Sequence, residues 1–236
     1  MNRIAMMVLK NIHVAPGAYI KLCRYAAHPE KYDEMEMWNH IRYIMSRAVI
    51  GGNVQLKVTG VENLPKEDGY MVYSNHQGLF DVVAIASTHA NRLAAVMKKE
   101  LAEVPLLKQI RACNKSFLMD REDVRQSLEV IQNVTREVQS GRNYLIFPEG
   151  TRSKNGNVMG EFHGGSFRCA VKAKCPIVPV AMIDSFRVLD QKGSDPVQVQ
   201  IHYLDPIPYE AYAGMKATEV AALVKARIQS SIDANT

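Results

Sequence analysis

The sequence from residue 70 to residue 89 is YMVYSNHQGLFDVVAIASTH, and it combines two kinds of secondary structure in one short segment. It opens with an apolar run of strand length, residues 70–74, and continues into a helical pattern over residues 79–89. A polar loop lies between them. Because strands that alternate with helices are typical of α/β proteins, this segment predicts one strand–loop–helix unit of such a fold.

The same alternation extends in both directions along the chain. Residues 54–58 alternate apolar and polar side chains like a half-exposed strand, and the clean alternation at residues 197–204 suggests an edge or antiparallel strand. Further strand-like runs lie at residues 93–97, 116–120, 144–148 and 177–182. Helical patterns lie at residues 98–112, where Pro105 divides the segment in two, and at residues 122–139, 165–174 and 217–232. We therefore predict a mixed, largely parallel sheet flanked by helices.

The first 50 residues differ from the remainder of the chain. Apolar residues recur there at helical spacing in two or three segments, which Pro16-Gly17 and Pro29 separate. We divide the chain into an N-terminal amphipathic helical segment, residues 1–50, and an α/β domain, residues 51–236. Two interpretations of the N-terminal segment stay open: a helical cap on the core, or an anchor that lies in the plane of a membrane surface.

Charge favours an anionic partner for this segment. The chain of 236 residues carries a formal net charge of +5, and residues 1–29 contain four basic side chains and no acidic one. Both phospholipid and nucleic acid are anionic. No nucleic-acid recognition motif or aromatic stacking pattern accompanies the basic residues. The sequence therefore favours an anionic membrane surface and predicts no nucleic-acid partner.

Several classes of site have no sequence signal. No run approaches the ~20 apolar residues of a membrane-spanning helix, and residues 1–23 do not have the pattern of a secretory signal. Gly-rich nucleotide motifs and a G-x-S-x-G element are missing. The cysteines show neither CxxC nor zinc-site spacing: Cys23, Cys113, Cys169 and Cys175. We expect reduced thiols, no metal, no cofactor and a cytoplasmic protein held peripherally on the inner face of the membrane.

The loop after residues 70–74 contains His76 and, five positions later, Asp81. On a regular helix these side chains would lie about 140° apart. They can meet if His76 lies in the loop and Asp81 in the first turn of the next helix. An aspartate bonded to one imidazole nitrogen would leave the other nitrogen free as a base. A purely structural His–Asp pair is the alternative.

A second polar loop, Pro148 to Ser153, follows the apolar run at residues 144–148. Gly150 allows the backbone to approach a ligand closely, and Thr151 and Arg152 offer a hydroxyl and a planar guanidinium suited to phosphate. An ordinary surface loop is the alternative. Because functional loops gather at the carboxyl ends of strands in such sheets, we expect both loops to share one crevice.

Together these loops resemble the glycerolipid acyltransferase family, which includes the 1-acylglycerol-3-phosphate acyltransferases. The family's N-H-x-x-x-x-D block matches residues 75–81, and its F-P-E-G-T-R-S block matches residues 147–153 without a change. Weaker blocks fit in the family's order at residues 98–105, 117–121, 162–165 and 175–180. The chain departs from the family at His163, where Lys is usual, and at Cys113-Asn114-Lys115, where a Gly usually precedes the strand.

The resemblance implies the glycerolipid acyltransferase fold and a role for each matching residue. His76 would be the general base for the acceptor hydroxyl, and Asp81 would orient it. The residues that would hold the glycerol phosphate are Arg121, Glu149, Gly150, Thr151 and Arg152. Lys98 would contact phosphate or the donor, with a solvated surface pair as the alternative.

The implied reaction moves a fatty acyl chain from acyl-CoA or acyl carrier protein to the sn-2 hydroxyl of 1-acylglycerol 3-phosphate, also called lysophosphatidic acid, and yields phosphatidic acid. We expect direct transfer without an acyl-enzyme, because the base and the positioned phosphate suffice for alcohol attack on a thioester. The alternatives are an acyltransferase for glycerol 3-phosphate or another lysophospholipid, and a catalytically silent membrane-binding protein.

Overall fold

The computed structural model describes residues 2–191 and 193–236. In these ranges the strands are β1 (Val54–Thr59), β2 (Met71–Ser74), β3 (Leu93–Lys98), β4 (Phe117–Met119), β5 (Asn143–Ile146), β6 (Ile177–Ile183) and β7 (Val197–Tyr203). The helices are α1 (Arg3–Asn11), α2 (Ala15–Ala27), α3 (Glu34–Gly51), α4 (Phe80–Thr88), α5 (Leu107–Asn114), α6 (Val124–Gln139), α7 (Arg168–Ala173), α8 (Phe186–Leu189) and α9 (Ala217–Asp233). Short 3-10 turns connect several of them.

The strands form a seven-stranded sheet in the order β1-β7-β6-β2-β5-β3-β4. Every neighbouring pair is parallel except β6 and β7, which are antiparallel. The predicted mixed, largely parallel sheet is confirmed. The segment that suggested an edge or antiparallel strand is β7, which is antiparallel to β6 but not at the edge, because β1 pairs with its other side.

Side-chain alternation along the strands divides the core into two layers. Val72 of β2 and Tyr70 just before it face helices α2, α3, α4 and α5, whereas Met71 and Tyr73 of β2 face α6, α7 and α9. Successive side chains of a strand point to opposite faces, so a strand with helices on both sides is apolar throughout. This explains why the segment at residues 70–74 has no polar face.

Local sequence signals account for the ends of the helices. In α6, the Asp123 side chain accepts the N–H of Gln126 at 3.0 Å as an N-cap, and Gly141 follows the helix with φ +89°. Lys115, just before β4, adopts the left-handed conformation with φ +58°. This conformation favours glycine, which matches the position where the resembling family usually has a Gly.

The N-terminal segment is helical, as predicted, but its first break lies elsewhere. Pro16 is inside the first turn of α2, where a missing N–H costs nothing, and the chain bends just before Ala15. Helix α3 buries Trp38 and Ile41 in the core. At the start of α3, Oε1 of Glu34 lies 2.8 Å from Nη2 of Arg142 and 2.9 Å from Nζ of Lys115. These ion pairs connect the helix to the α/β part of the chain. None of the helices in the described part of the chain is long and apolar enough to cross a membrane.

The sheet order decides where the loops meet. Strands β6, β2, β5, β3 and β4 are adjacent and parallel, so their carboxyl ends lie along one edge of the sheet. We call this the carboxyl edge and the opposite one the amino edge. The loop with His76 follows β2 and the loop with Glu149 follows the neighbouring β5, which places both predicted loops side by side.

Candidate active site

His76 and Asp81 lie at the carboxyl edge and are hydrogen-bonded, with 2.6 Å between Nδ1 and Oδ2. His76 is in the loop after β2, and Asp81 is the second residue of α4. The same oxygen of Asp81 accepts the backbone N–H groups of Gln77 at 2.7 Å and Gly78 at 3.0 Å. These donors compensate the fully buried carboxylate for the water that it loses.

The environment of His76 leaves one ring nitrogen available. Its side chain is 17% exposed, and its ring stacks on Phe147 with 4.2 Å between ring centres. The bond from Nδ1 to Asp81 favours the tautomer with the proton on Nδ1, so Nε2 carries the lone pair. No residue in the described ranges hydrogen-bonds to Nε2. The predicted role of His76 as a general base needs such a free nitrogen, and the role itself stays a prediction.

Glu149 connects the two motif loops. It is 4% exposed, and its Oε1 accepts the backbone N–H of His76 at 2.9 Å while its Oε2 accepts that of Gly160 at 3.0 Å. Burial raises the pKa of Glu149, although the two backbone donors oppose the rise. Both carboxylate oxygens are therefore used in bracing the loops. Its predicted contact with glycerol phosphate stays a prediction.

Arg121 and Gly150 come together from neighbouring parts of the carboxyl edge. Gly150 has φ +69°, and a Cβ built there would lie 3.8 Å from Nε of Arg121 and 3.6 Å from the ring of His163. The Arg121 side chain is exposed, and no carboxylate of the described residues forms an ion pair with it. This guanidinium is therefore available to an anion that approaches over Gly150.

Thr151 and Arg152 are on the solvent side of the same loop. Arg152 is 46% exposed, and its Nη1 lies 3.4 Å from Oδ1 of Asp190, a long and solvated contact. The next residue, Ser153, donates its backbone N–H to the carbonyl oxygen of His76 at 2.8 Å. Arg152 is thus one residue from a direct contact with the His76 loop.

Lys98 ends β3, on the same edge but farther along the sheet. Its Nζ lies 2.9 Å from Oε1 of Glu100, and both side chains are about half exposed. The neighbouring Lys99 pairs with Asp120. The structure places Lys98 in a surface ion pair, and its predicted contact with phosphate or donor stays a prediction.

Sequence reasoning missed three residues that surround the His76–Asp81 pair. Ser185, the second residue after β6, is buried and donates its hydroxyl hydrogen to Oδ1 of Asp81. Gln77 and Asn157 hydrogen-bond to each other and to the segment around Ser185. The available signal was the polar pair Asp184-Ser185 after an apolar strand, but its value depends on β6 being next to β2.

Metal ligation has no candidate in the described residues, because no three His, Cys, Asp or Glu side chains cluster there. His76 and Asp81 are two potential ligands, and their mutual hydrogen bond already uses Nδ1 and Oδ2. The cationic groups at the carboxyl edge are instead suited to an anionic ligand. The site therefore combines a histidine–aspartate pair with exposed guanidinium groups on the same edge of the sheet.

Comparison with known proteins identifies the family of this chain. A model of the family described as Acyltransferase matches residues 55–183, which include both motif loops. The 1-acyl-sn-glycerol-3-phosphate acyltransferase of Helicobacter pylori (strain J99) is 30% identical over 140 residues, which are 57% of this chain and 59% of the relative. The human 1-acyl-sn-glycerol-3-phosphate acyltransferase alpha is 28% identical over 188 residues, with 78% and 62% covered.

A solved structure shares the fold. The crystal structure of the 1-acyl-sn-glycerophosphate (LPA) acyltransferase PlsC from Thermotoga maritima has a TM-score of 0.80 and 21% identity, and the match covers 99% of this chain and 97% of that one. The chain spans about 60% of the length of the curated relatives it matches. The family model covers more than half of the chain, and this protein therefore belongs to the Acyltransferase family.

Proposed function

We propose that this protein transfers a fatty acyl chain from a thioester donor, acyl-CoA or acyl carrier protein, to the sn-2 hydroxyl of 1-acylglycerol 3-phosphate. The product is phosphatidic acid. One observation carries the proposal: the His76 imidazole is bonded to buried Asp81 through Nδ1 and keeps Nε2 free, at the edge where Arg121 and Arg152 present their guanidinium groups. The names of the curated relatives support the choice of acceptor.

The geometry supports direct transfer. Nε2 of His76 takes the proton of the acceptor hydroxyl as its oxygen attacks the thioester carbonyl. The tetrahedral intermediate collapses, the carbon–sulfur bond breaks, and the departing thiolate takes the proton back from the imidazolium. Asp81 stabilises that imidazolium throughout. The acyl group moves from sulfur to oxygen and the proton from oxygen to sulfur, so this route needs no covalent enzyme intermediate and no cysteine.

The acceptor phosphate binds at the carboxyl edge, which carries both Arg121 and Arg152. Arg121 is exposed next to Gly150, and the ion pair of Arg152 among the described residues is the long contact with Asp190. A guanidinium binds phosphate through two parallel hydrogen bonds, which a water-exposed carboxylate at 3.4 Å does not match. Phosphate binding at this edge holds the glycerol hydroxyl near His76, and positioning of this kind supplies much of the rate of a two-substrate reaction.

Helix α1 is the proposed membrane contact. Two of its polar residues are buried beside Met6: Arg3 donates to the carbonyl oxygens of Gly52 at 2.7 Å and Asp195 at 3.0 Å, and Asn11 donates to that of Arg47 at 2.9 Å. Four aliphatic side chains of α1 and its C-cap are 52–63% exposed: Ile4, Val8, Leu9 and Ile12. This exposed aliphatic face, with the exposed Lys10 beside it, is suited to the interface of an anionic membrane on the cytoplasmic side.

The reaction is tested with purified protein, both donors and three acceptors: 1-acylglycerol 3-phosphate, glycerol 3-phosphate and unphosphorylated monoacylglycerol. We expect phosphatidic acid from the first acceptor, and a kcat about 100-fold to 10,000-fold lower for His76→Ala. Equal product from the wild type and His76→Ala would disprove the role of His76. A preference for glycerol 3-phosphate would reassign the acceptor. Liposome binding without product from any acceptor would indicate a silent membrane-binding protein.

The membrane contact is tested by co-sedimentation with phosphatidylglycerol vesicles. We expect Val8→Glu to weaken binding by about 10-fold or more, because it removes apolar area from the interface and adds a like charge. Met35→Glu is the matched control: Met35 is an exposed apolar residue beside Glu34, near the amino edge. Equal losses for both variants would show that only net charge matters and would refute a role for α1.

A further inference from the structure

The chain turns sharply after β6, and the corner has an unusual conformation. Asp184 has φ +64°, in the left-handed region that residues other than Gly seldom adopt. It directly precedes Ser185, which is fully buried. Such a conformation persists only where the surrounding contacts hold it in place. The hydrogen bonds around Asp184 and Ser185 therefore show what holds this conformation.

A ring of hydrogen bonds holds the corner. The side-chain oxygen of Asn157 accepts the backbone N–H of Asp184 at 2.9 Å, and its amide nitrogen donates to Oδ1 of Asp184 at 3.0 Å. Gln77 donates to Asn157 at 2.7 Å and accepts the backbone N–H of Ser185 at 3.0 Å. The ring of Gln77, Asn157, Asp184 and Ser185 thus joins three segments at the carboxyl edge, which follow β2, β5 and β6.

The ring aims the Ser185 hydroxyl at Oδ1 of Asp81. The other oxygen, Oδ2, receives three donors, from His76, Gln77 and Gly78. Among the described residues, Ser185 provides the one hydrogen bond to Oδ1. Without it, a fully buried carboxylate oxygen has no donor among the described residues, and the carboxylate plane is held from the Oδ2 side alone.

We propose that Ser185 is a positioning residue that acts through Asp81, by fixing the carboxylate plane so that Oδ2 stays aligned with Nδ1 of His76. The assignment rests on the proposed acyl transfer. Ser185 does not have the geometry of a nucleophile, because it is buried and its hydroxyl bonds to the aspartate rather than to the imidazole. Its contribution is therefore made through the dyad and not by contact with substrate.

A double-mutant cycle separates positioning from a structural role. We expect Ser185→Ala to lower kcat about 10-fold with little change in the KM of the acceptor, because one hydrogen bond to a buried charge is lost. In an Asp81→Asn background the same substitution should lower kcat by less than about 2-fold, because the path through Asp81 is already broken. Ser87→Ala is the matched control, since Ser87 lies on α4 and its hydroxyl bonds only to the carbonyl oxygen of Ala84.

A second readout needs no substrate. The proton on Nδ1 of His76 reports its bond to Asp81 as a downfield NMR resonance. We expect Ser185→Ala to shift or broaden this resonance, Ser87→Ala to leave it in place, and Ser185→Thr, which keeps the hydroxyl, to restore it. Thermal unfolding of each variant verifies that it is folded.

The outcomes distinguish the two proposals. Unchanged kcat and an unchanged resonance in Ser185→Ala would overturn the positioning role. An equal loss of kcat in both backgrounds would also overturn it, because a structural defect adds to Asp81→Asn. If the wild type forms no product from any acceptor, the proposed acyl transfer fails, and the resonance alone then decides whether Ser185 orients the dyad.

Discussion

Two histidines flank helix α4, His76 before it and His89 after it, and they are in opposite environments. His76 at the carboxyl edge is partly exposed and bonded to Asp81. His89, at the end of α4 and near the amino edge, is buried, and its Nε2 is 2.9 Å from the hydroxyl of Tyr70. Burial lowers the pKa of His89 to about 4. The same residue type is thus a partly exposed partner of a carboxylate at one edge and a neutral core residue at the other.

The two histidines differ in their hydrogen-bond partner and in their access to solvent. The hydrogen bond to Asp81 holds the His76 ring in one orientation, and the partial exposure of its side chain allows a ligand to approach Nε2. His89 has a neutral hydroxyl partner and no access to water, so its charged form is disfavoured. A histidine in the sequence does not by itself indicate a function. Its position at the carboxyl edge is what makes it a candidate functional residue.

The largest expected contrast is between substitutions of the two histidines: one should lower activity and the other should lower stability. His76→Ala should lower kcat about 100-fold to 10,000-fold while it changes the free energy of unfolding by less than about 1 kcal/mol. His89→Phe should retain kcat within about 2-fold but lose about 1–3 kcal/mol of stability, because it leaves the Tyr70 hydroxyl buried without a partner. Steady-state kinetics and urea unfolding of both variants measure this. A large loss of kcat in His89→Phe would remove the distinction.

The free energy of unfolding should depend on pH because the pKa of His89 is lowered in the folded state. Its pKa is about 4 in the folded state against 6.5 for an ordinary histidine. Between these values the unfolded chain binds a proton that the folded chain does not, so stability falls as pH decreases, by about 3 kcal/mol in total. The contribution is fully present above pH 6.5. Glu149 acts in the opposite direction, because its raised pKa makes the folded state less stable as pH rises through that value.

The contribution of His89 is isolated by comparing the wild type with His89→Phe in urea unfolding at several pH values from 7 down to about 4.5. The stability advantage of the wild type should shrink as pH falls, because only the wild type has this histidine to protonate. A constant difference across that range would mean that the pKa of His89 is not lowered by burial.

The smallest of the three effects concerns phosphate recognition at the carboxyl edge. Arg121→Ala should raise the KM of the phosphorylated acceptor about 10-fold to 100-fold with a smaller effect on kcat, because a charge-assisted contact is lost. Lys98→Ala is the comparison on the same edge, and we expect less than about 3-fold, because Lys98 is half exposed and already paired with Glu100. Equal effects would place Lys98 in the phosphate site as well. No effect of Arg121→Ala would exclude it from that site.

The sequence alone determined the fold class, most helices and strands, and the two loops that carry the motifs. These features are local: side-chain periodicity, caps and turn residues act within a few positions. The contact of His76 with Asp81 also follows from local geometry, because Asp81 is in the first turn of α4. Both loops could be predicted at one edge, because both follow apolar strands.

Only the tertiary structure decided three other features. The strand order brings β6 beside β2 and thereby Ser185 onto Asp81, two residues 104 positions apart. Packing buried Arg3 of α1 and left Ile4, Val8 and Leu9 of the same helix exposed. Glu149 became a brace because Gly160 and His76 approach it from two loops. Contacts between distant segments depend on which strands pair, and the pattern of any single segment is compatible with several pairings.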